Sequence, residues 1–235
     1  MCLLTINRRV LEKLSPIAVG YFAIGAACGM LGQKAGLTPG AMFAMSTLVY
    51  AGSGQFIALA MMVQSASILA ITLTIFIVNL RHVLFSSTLL PYLKNASPRF
   101  LALYAHGITD ETFAVNLNAF STEHTPPWTA AEALALNGLG CACWSLSTVF
   151  GCLAAEFLSI DTALVSYILI AMFLGIWSNY LHERRMIITG LASGVLALIF
   201  APLVPYKLHI IFATLIASAG ACYLAGRHKG GSQDV

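Results

Sequence analysis

The stretch best equipped for chemistry in this chain is Ser46-Thr47-Leu48-Val49-Tyr50-Ala51-Gly52-Ser53-Gly54-Gln55-Phe56. It lies within a run from Ala35 to Leu80 that holds no Asp, Glu, Lys or Arg. Gly52 and Gly54 flank Ser53, and each glycine weakens a helix by about 1 kcal/mol relative to alanine. A helix interrupted there frees backbone N–H and C=O groups, which hydrocarbon cannot satisfy and a polar cavity can. Ser46, Tyr50, Gly52, Ser53, Gly54 and Gln55 are therefore candidate substrate-lining residues. A second cluster is Asn79-Leu80-Arg81-His82, where Asn79, His82 and Ser86 share one helix face. Asn79 and His82 join the candidate binding set. Arg81 needs a counter-charge or water, because a lone charge deep in an apolar run is costly. The third cluster is His106-Gly107-Ile108-Thr109-Asp110-Glu111, with His106 and Asp110 one helical turn apart. Arg81, His106, Asp110 and Glu111 form the candidate charge and coupling set, with Arg81 expected near Asp110 or Glu111. The competing readings are close packing through small residues for the glycines, snorkelling to the interface for Arg81, and an interfacial helix for 100–119.

These residues need elements to hold them, and composition dictates what kind. Of 235 residues, 59% are apolar and 9% charged, with a net charge of +3 and a mean hydropathy of +0.85. An ordinary soluble domain carries about 25% charged residues, so a soluble enzyme, a disordered chain and a nucleic-acid binder are excluded. The expected fold is an all-α, polytopic membrane helix bundle. A span takes roughly 20 apolar residues. Residues 1–15 read as a basic cytoplasmic lead-in, 16–226 as a single transmembrane domain and 227–235 as a polar tail. Within 16–226 the first uncharged run opens at Pro16, and Gly36-Leu37-Thr38-Pro39-Gly40 and Gln64-Ser65-Ala66-Ser67 are turn signals. Further apolar runs fall at about 133–155, 162–181, 186–204 and 206–226, which gives seven helices, or eight if 100–119 spans. The distribution of Lys and Arg favours eight, with both termini cytoplasmic.

A shift of 123 positions lays Leu37-Thr38 over Ile160-Asp161 and Gly52 over Gly175. That faint echo suggests two halves, a construction common among secondary transporters, with a discontinuous second helix. Gly25-x-x-x-Gly29 and Gly190-x-x-x-Gly194 read as packing faces. Trp177-Ser178-Asn179-Tyr180 reads as an aromatic belt. The six cysteines lie mostly in apolar runs, with no C-x-x-C, and read as packing residues. No His-x-x-x-His or His-Glu-x-x-His occurs, and no metal or cofactor is called for.

Taken together, Gly-Leu-Thr-Pro at 36–39, Met45-Ser46, Tyr50-Ala51-Gly52-Ser53-Gly54-Gln55-Phe56, Val78-Asn79-Leu80-Arg81-His82 and Thr109-Asp110-Glu111-Thr112-Phe113-Ala114 resemble the signature of the AzlC family. The likeness runs from about Pro16 to Tyr223, with nearly all its specificity in the first 120 residues. It implies a multi-pass protein of the bacterial cytoplasmic membrane and export of valine, leucine and isoleucine. It also implies a proton or other coupling ion and a small multi-spanning AzlD-type subunit.

Three functions fit the residues. A secondary exporter would use Arg81 and helix ends for a carboxylate, and Asp110, Glu111 and free carbonyls for an ammonium. An intramembrane serine hydrolase would use Ser53 with His82 or His106, but Tyr50 and Ala51 break the Gly-x-Ser-Gly pattern. A structural membrane subunit would leave the buried polar residues without a role.

Overall fold

The computed structural model describes residues 5–94, 96–122, 126–157, 167, 174, 184–202 and 208–230. Among them every regular element is a helix, and the chain divides after Leu169 into two compact units. The run expected at 162–181 lies outside the described residues except for Tyr167 and Leu174, and so does the belt at 177–180.

In the first unit α1 spans Arg8–Lys34. It opens eight residues before the expected Pro16 because Asn7 caps it, accepting from Val10 N at 3.0 Å. Pro16 has no N–H for the Glu12 carbonyl, and Ser15 Oγ donates to that carbonyl at 3.0 Å instead. Gly36, at φ +84°, turns the chain out of the helix. Thr38 then caps α2 (Pro39–Val49) with proline in the first turn. Tyr50 and Ala51 leave the helical conformation, at φ 18°, ψ 62° and φ −138°, ψ 48°. The chain resumes as α3 (Gly52–Val63), so the interruption falls just ahead of the glycines.

Ser67 caps α4 (Ile68–Asn79), which continues through a hitch at Leu80 into α5 (Arg81–Leu89) and a 3₁₀ turn, Leu90–Leu93. Ser97 caps α6 (Pro98–His106). After Gly107-Ile108-Thr109 comes α7 (Asp110–Ser121), started by a reciprocal cap between Thr109 and Thr112. The expected run 100–119 is thus two helices. α8 spans Ala130–Phe157. Three of these stretches are long and apolar enough to cross a membrane: Arg8–Lys34, Ile68–Leu93 and Ala130–Phe157. Outward side chains such as Ile68 and Phe76 are 83% and 63% exposed, which suits lipid and not water.

The core of this unit is the seam between α1 and α8. A Cβ at Gly29 would strike the backbone of Thr148, one at Gly151 the backbone of Ala26, and one at Gly25 the side chain of Ser147. The helices therefore meet backbone to backbone, as small residues allow. Cys28 and Cys152 are fully buried. Both helices begin at the same end, held by Glu132, which is 3% exposed. Asn7 Nδ2 donates to its Oε1 at 2.7 Å and Arg9 Nη1 lies 3.6 Å away. Its Oε2 accepts from Thr129 N at 2.9 Å and Thr129 Oγ1 at 2.8 Å. Trp128 packs beneath the cations of Arg9 and Lys13.

In the second unit α9 (Arg184–Phe200) and α10 (Leu208–Gly230) pack together, and Ser193 Oγ donates to Thr214 Oγ1 at 3.3 Å. The expected tail at 227–235 is helical as far as Gly230. Nothing described lies within 4 Å of a Cβ placed on Gly194.

Candidate functional site

Helix starts assemble the polar node. Ser53 is the second residue of α3, Arg81 the first of α5 and Asp110 the first of α7. Arg81 joins them. Its Nη1 lies 2.9 Å from Asp110 Oδ2 and donates to Oδ1 at 3.1 Å, while Nη2 donates to Ser53 Oγ at 2.6 Å. The pair is neither dry nor open, with side chains 26% and 30% exposed. Arg81 Nε is buried without a partner, and so are Asn79 Oδ1 and His82 Nε2 on the same continuous stretch, Ile68–Leu93. A Cβ on Gly54 would come within 3.1 Å of Asn79 Oδ1, so the glycine lets Asn79 lie against α3. Phe85 stacks on Phe113 at 4.4 Å, pinning α5 to α7 one turn away.

The second acid faces elsewhere. Glu111 Oε2 accepts from the Tyr21 hydroxyl of α1 at 3.0 Å, and that hydroxyl lies 2.6 Å from Thr109 Oγ1. Tyr50, at the α2–α3 interruption, donates to Tyr21 at 3.4 Å. Gly140 of α8 makes room here, since a Cβ on it would meet the Tyr50 hydroxyl at 3.1 Å.

Ser46 and Gln55 belong to a directed chain of hydrogen bonds. Trp144 Nε1 donates to Gln55 Oε1 at 2.7 Å, and Gln55 Nε2 donates to Ser46 Oγ at 3.0 Å. Ser46 Oγ lies 2.8 Å from Thr148 Oγ1, which donates to the Ser145 carbonyl at 2.9 Å. The Thr148 proton is thereby committed, so Ser46 donates to Thr148. Ser46 and Gln55 are fully buried, and their hydrogen-bonding groups in this arrangement point into the protein. They lock α2 and α3 onto α8.

Comparison with known sequences shows what this architecture is. Residues 16–158 match the family described as AzlC protein. This chain belongs to the AzlC family. Similar proteins include an uncharacterized membrane protein of Archaeoglobus fulgidus, 30% identical over 88% of this chain and 90% of its own. Inner membrane protein YgaZ of Escherichia coli is 25% identical over 77% of this chain and 76% of its own. The branched-chain amino acid transport protein AzlC of Bacillus subtilis is 23% identical over 78% of this chain and 72% of its own. No solved structure matches.

The AzlC match covers all three clusters read from the sequence, and the structure separates their members. Ser53, Arg81 and Asp110 meet in one node, with Gly54 and Asn79 beside it, while Gly52 faces the Trp144 ring of α8. Glu111 and Tyr50 join Tyr21. His82 lines a cavity of about 410 Å³ with Ser86, Leu93, Leu101 and Tyr104, on another face of α5 from the Arg81 node. His106 donates to the Thr47 carbonyl at 2.8 Å, tying the end of α6 to the end of α2, while Asp110 pairs with Arg81. Sequence reasoning missed Tyr21, Trp144, Glu132 and Asn137. The signal for Glu132 was present, because Thr129-Ala-Ala-Glu132 is a capping box. Asn137 Nδ2 donates to the Tyr104 carbonyl at 3.2 Å and Oδ1 accepts from Asn116, so it holds the α6 end to α8. Nothing local marks such partners.

Proposed function

We propose that this chain is the large subunit of a two-component secondary exporter. It carries small hydrophobic amino acids, valine, leucine and isoleucine, out across the bacterial cytoplasmic membrane, driven by a proton or other ion gradient. A small AzlD-type multi-spanning subunit completes it. The observation that carries the reading is the Arg81–Asp110–Ser53 node at the starts of three helices, with unpartnered polar atoms beside it. A zwitterion fits such a node. Its carboxylate takes the Arg81 fork from Asp110, and its ammonium takes the carboxylate that Arg81 releases, so one ion pair becomes two. Binding then opens the ion pair between α5 and α7. The names of the Bacillus subtilis and Escherichia coli relatives, a branched-chain amino acid transport protein and an inner membrane protein, support the cargo and the membrane. Ser53 accepts a hydrogen bond from a cation, which does not generate a nucleophile, so transport fits this serine better than hydrolysis.

The clasp of Glu132 on Asn7 and Arg9 supports the eight-helix topology. With α1 and α8 starting at one end, the chain between them crosses an odd number of times after α1. The stretches 39–63, 68–93 and 98–121 supply three crossings, each long enough at about 1.5 Å per residue. Trp144, which meets the Tyr21 ring edge-on at 5.2 Å, follows it by the same 123 positions as the sequence echo. This supports two halves running in the same direction.

Efflux of labelled valine, leucine and isoleucine from cells expressing the chain, with and without the neighbouring small subunit, tests the reading. Efflux is expected with both and little with the chain alone. If none of the three leaves faster than from empty-vector cells when both subunits are present, the reading is wrong.

A further inference from the structure

Tyr21 belongs to α1, an uninterrupted helix, and is 4% exposed. A buried tyrosine hydroxyl needs one hydrogen-bond partner. This one has three, drawn from both interrupted stretches. Thr109 Oγ1 at 2.6 Å is the cap on which α7 begins, Glu111 Oε2 at 3.0 Å lies in the first turn of α7, and the Tyr50 hydroxyl at 3.4 Å sits where α2 gives way to α3. The ring is fixed edge-on to Trp144, whose Nε1 holds Gln55 of α3. None of these hydrogen bonds goes to Arg81, Asp110 or Ser53.

The direction of the protons gives the arrangement its logic. Tyr21 has one proton, and a carboxylate oxygen can only accept it, so Glu111 sets the direction of the Tyr21 hydroxyl. That direction leaves the Tyr21 oxygen free to accept from Tyr50. Such chains strengthen cooperatively, and loss of the terminal acceptor loosens the rest. Asp110, next to Glu111, is the acid that Arg81 holds. Resting on the transport reading above, the geometry points to Tyr21 as a positioning residue for transport. Its hydroxyl makes the interruptions at 50–51 and 107–109 respond together when the node at Arg81 and Asp110 changes partner.

The test is Tyr21→Phe, which keeps the ring against Trp144 and removes only the hydroxyl. Labelled leucine efflux is measured over a range of internal concentrations, with the small subunit present and membrane abundance recorded. Since Tyr21 does not touch the node, the apparent KM should stay within about twofold, while the maximal rate falls about tenfold, the worth of one hydrogen bond to a charged group. Glu111→Gln combined with Tyr21→Phe should be no slower than the slower single variant, because both act on one chain. A normal maximal rate, a KM that rises with the rate loss, or effects that multiply in the double variant would overturn the proposal. Should Tyr21→Phe fail to reach the membrane, Tyr50→Phe removes the hydroxyl that donates to Tyr21 and must show the same loss of rate without change in KM. Arg81→Ala and Asp110→Asn run alongside. If they export normally, the transport reading fails; if they are inactive and Tyr21→Phe is normal, only the Tyr21 proposal fails.

Discussion

The α1–α8 pair and the rod Ile68–Leu93 are both long and apolar, and they treat their polar atoms in opposite ways. On α8, Glu132, Asn137, Trp144, Ser147 and Thr148 all make hydrogen bonds within the protein. Among the described residues, the buried side-chain atoms without a partner are Thr74 Oγ1, Asn79 Oδ1, Arg81 Nε and His82 Nε2 on the rod, and Tyr104 OH on α6. None is on α1 or α8. An unpartnered buried polar atom costs about 1–3 kcal/mol, so a protein keeps few of them without a reason. The pair is a finished scaffold. The rod carries buried polar atoms without a partner, and it carries the cation of the node.

That contrast can be broken at the node first. Arg81→Ala and Asp110→Asn should each abolish efflux. Each leaves a partly buried charge alone, which should lower membrane abundance by the equivalent of roughly 2 kcal/mol. The double variant should recover abundance without recovering transport. Normal efflux in the two singles, or abundance losses that simply add, would show that the pair is not a coupled site.

A smaller effect is expected at the seam. Gly151→Val drives a branched side chain into the Ala26 backbone and should cost about 1–3 kcal/mol or more by overpacking. Gly138→Val faces open space on the same helix and should be tolerated. Equal thermal stability of the two in detergent would remove the close seam from the account.

Glu132→Gln keeps the shape of the clasp and loses the charge beside Arg9. It should lower the melting temperature by the equivalent of about 1–2 kcal/mol and leave efflux per folded molecule unchanged. Loss of efflux in a fully folded variant would place Glu132 in the working part and not in the scaffold. The smallest change is expected for Trp144→Phe, which frees Gln55 Oε1 at a cost of roughly 1 kcal/mol. Its efflux should fall less than that of Tyr21→Phe, because the hydrogen bond it removes ties α3 alone.

Much of the fold is legible in the sequence because caps and turns are local. Thr38-Pro39, Ser67 and Ser97-Pro98 each sit where a helix begins, and Gly36 where one ends. Pro16 misleads as a helix start. Proline suits a first turn, yet a neighbouring serine can satisfy the carbonyl it leaves free, as Ser15 does here. The interruption before Ser53 is also legible in outline. Its position at Tyr50-Ala51 is not, since the glycines that suggest it fall inside the next helix.

By itself the sequence determined a helical membrane protein of the AzlC family and the three polar clusters, because hydropathy, spacing and motif are properties of consecutive residues. Only the tertiary structure decided what each cluster member faces. Ser46 and Gln55 turn into α8, while Ser53 meets Arg81, and Asp110 and Glu111 are neighbours in the chain with different partners. The physical reason is that a polar group in an apolar medium takes whatever partner the packing brings. Here the partners on other helices include Arg81 for Ser53, 28 residues away, and Trp144 for Gln55, 89 residues away, distances across which no local pattern carries information.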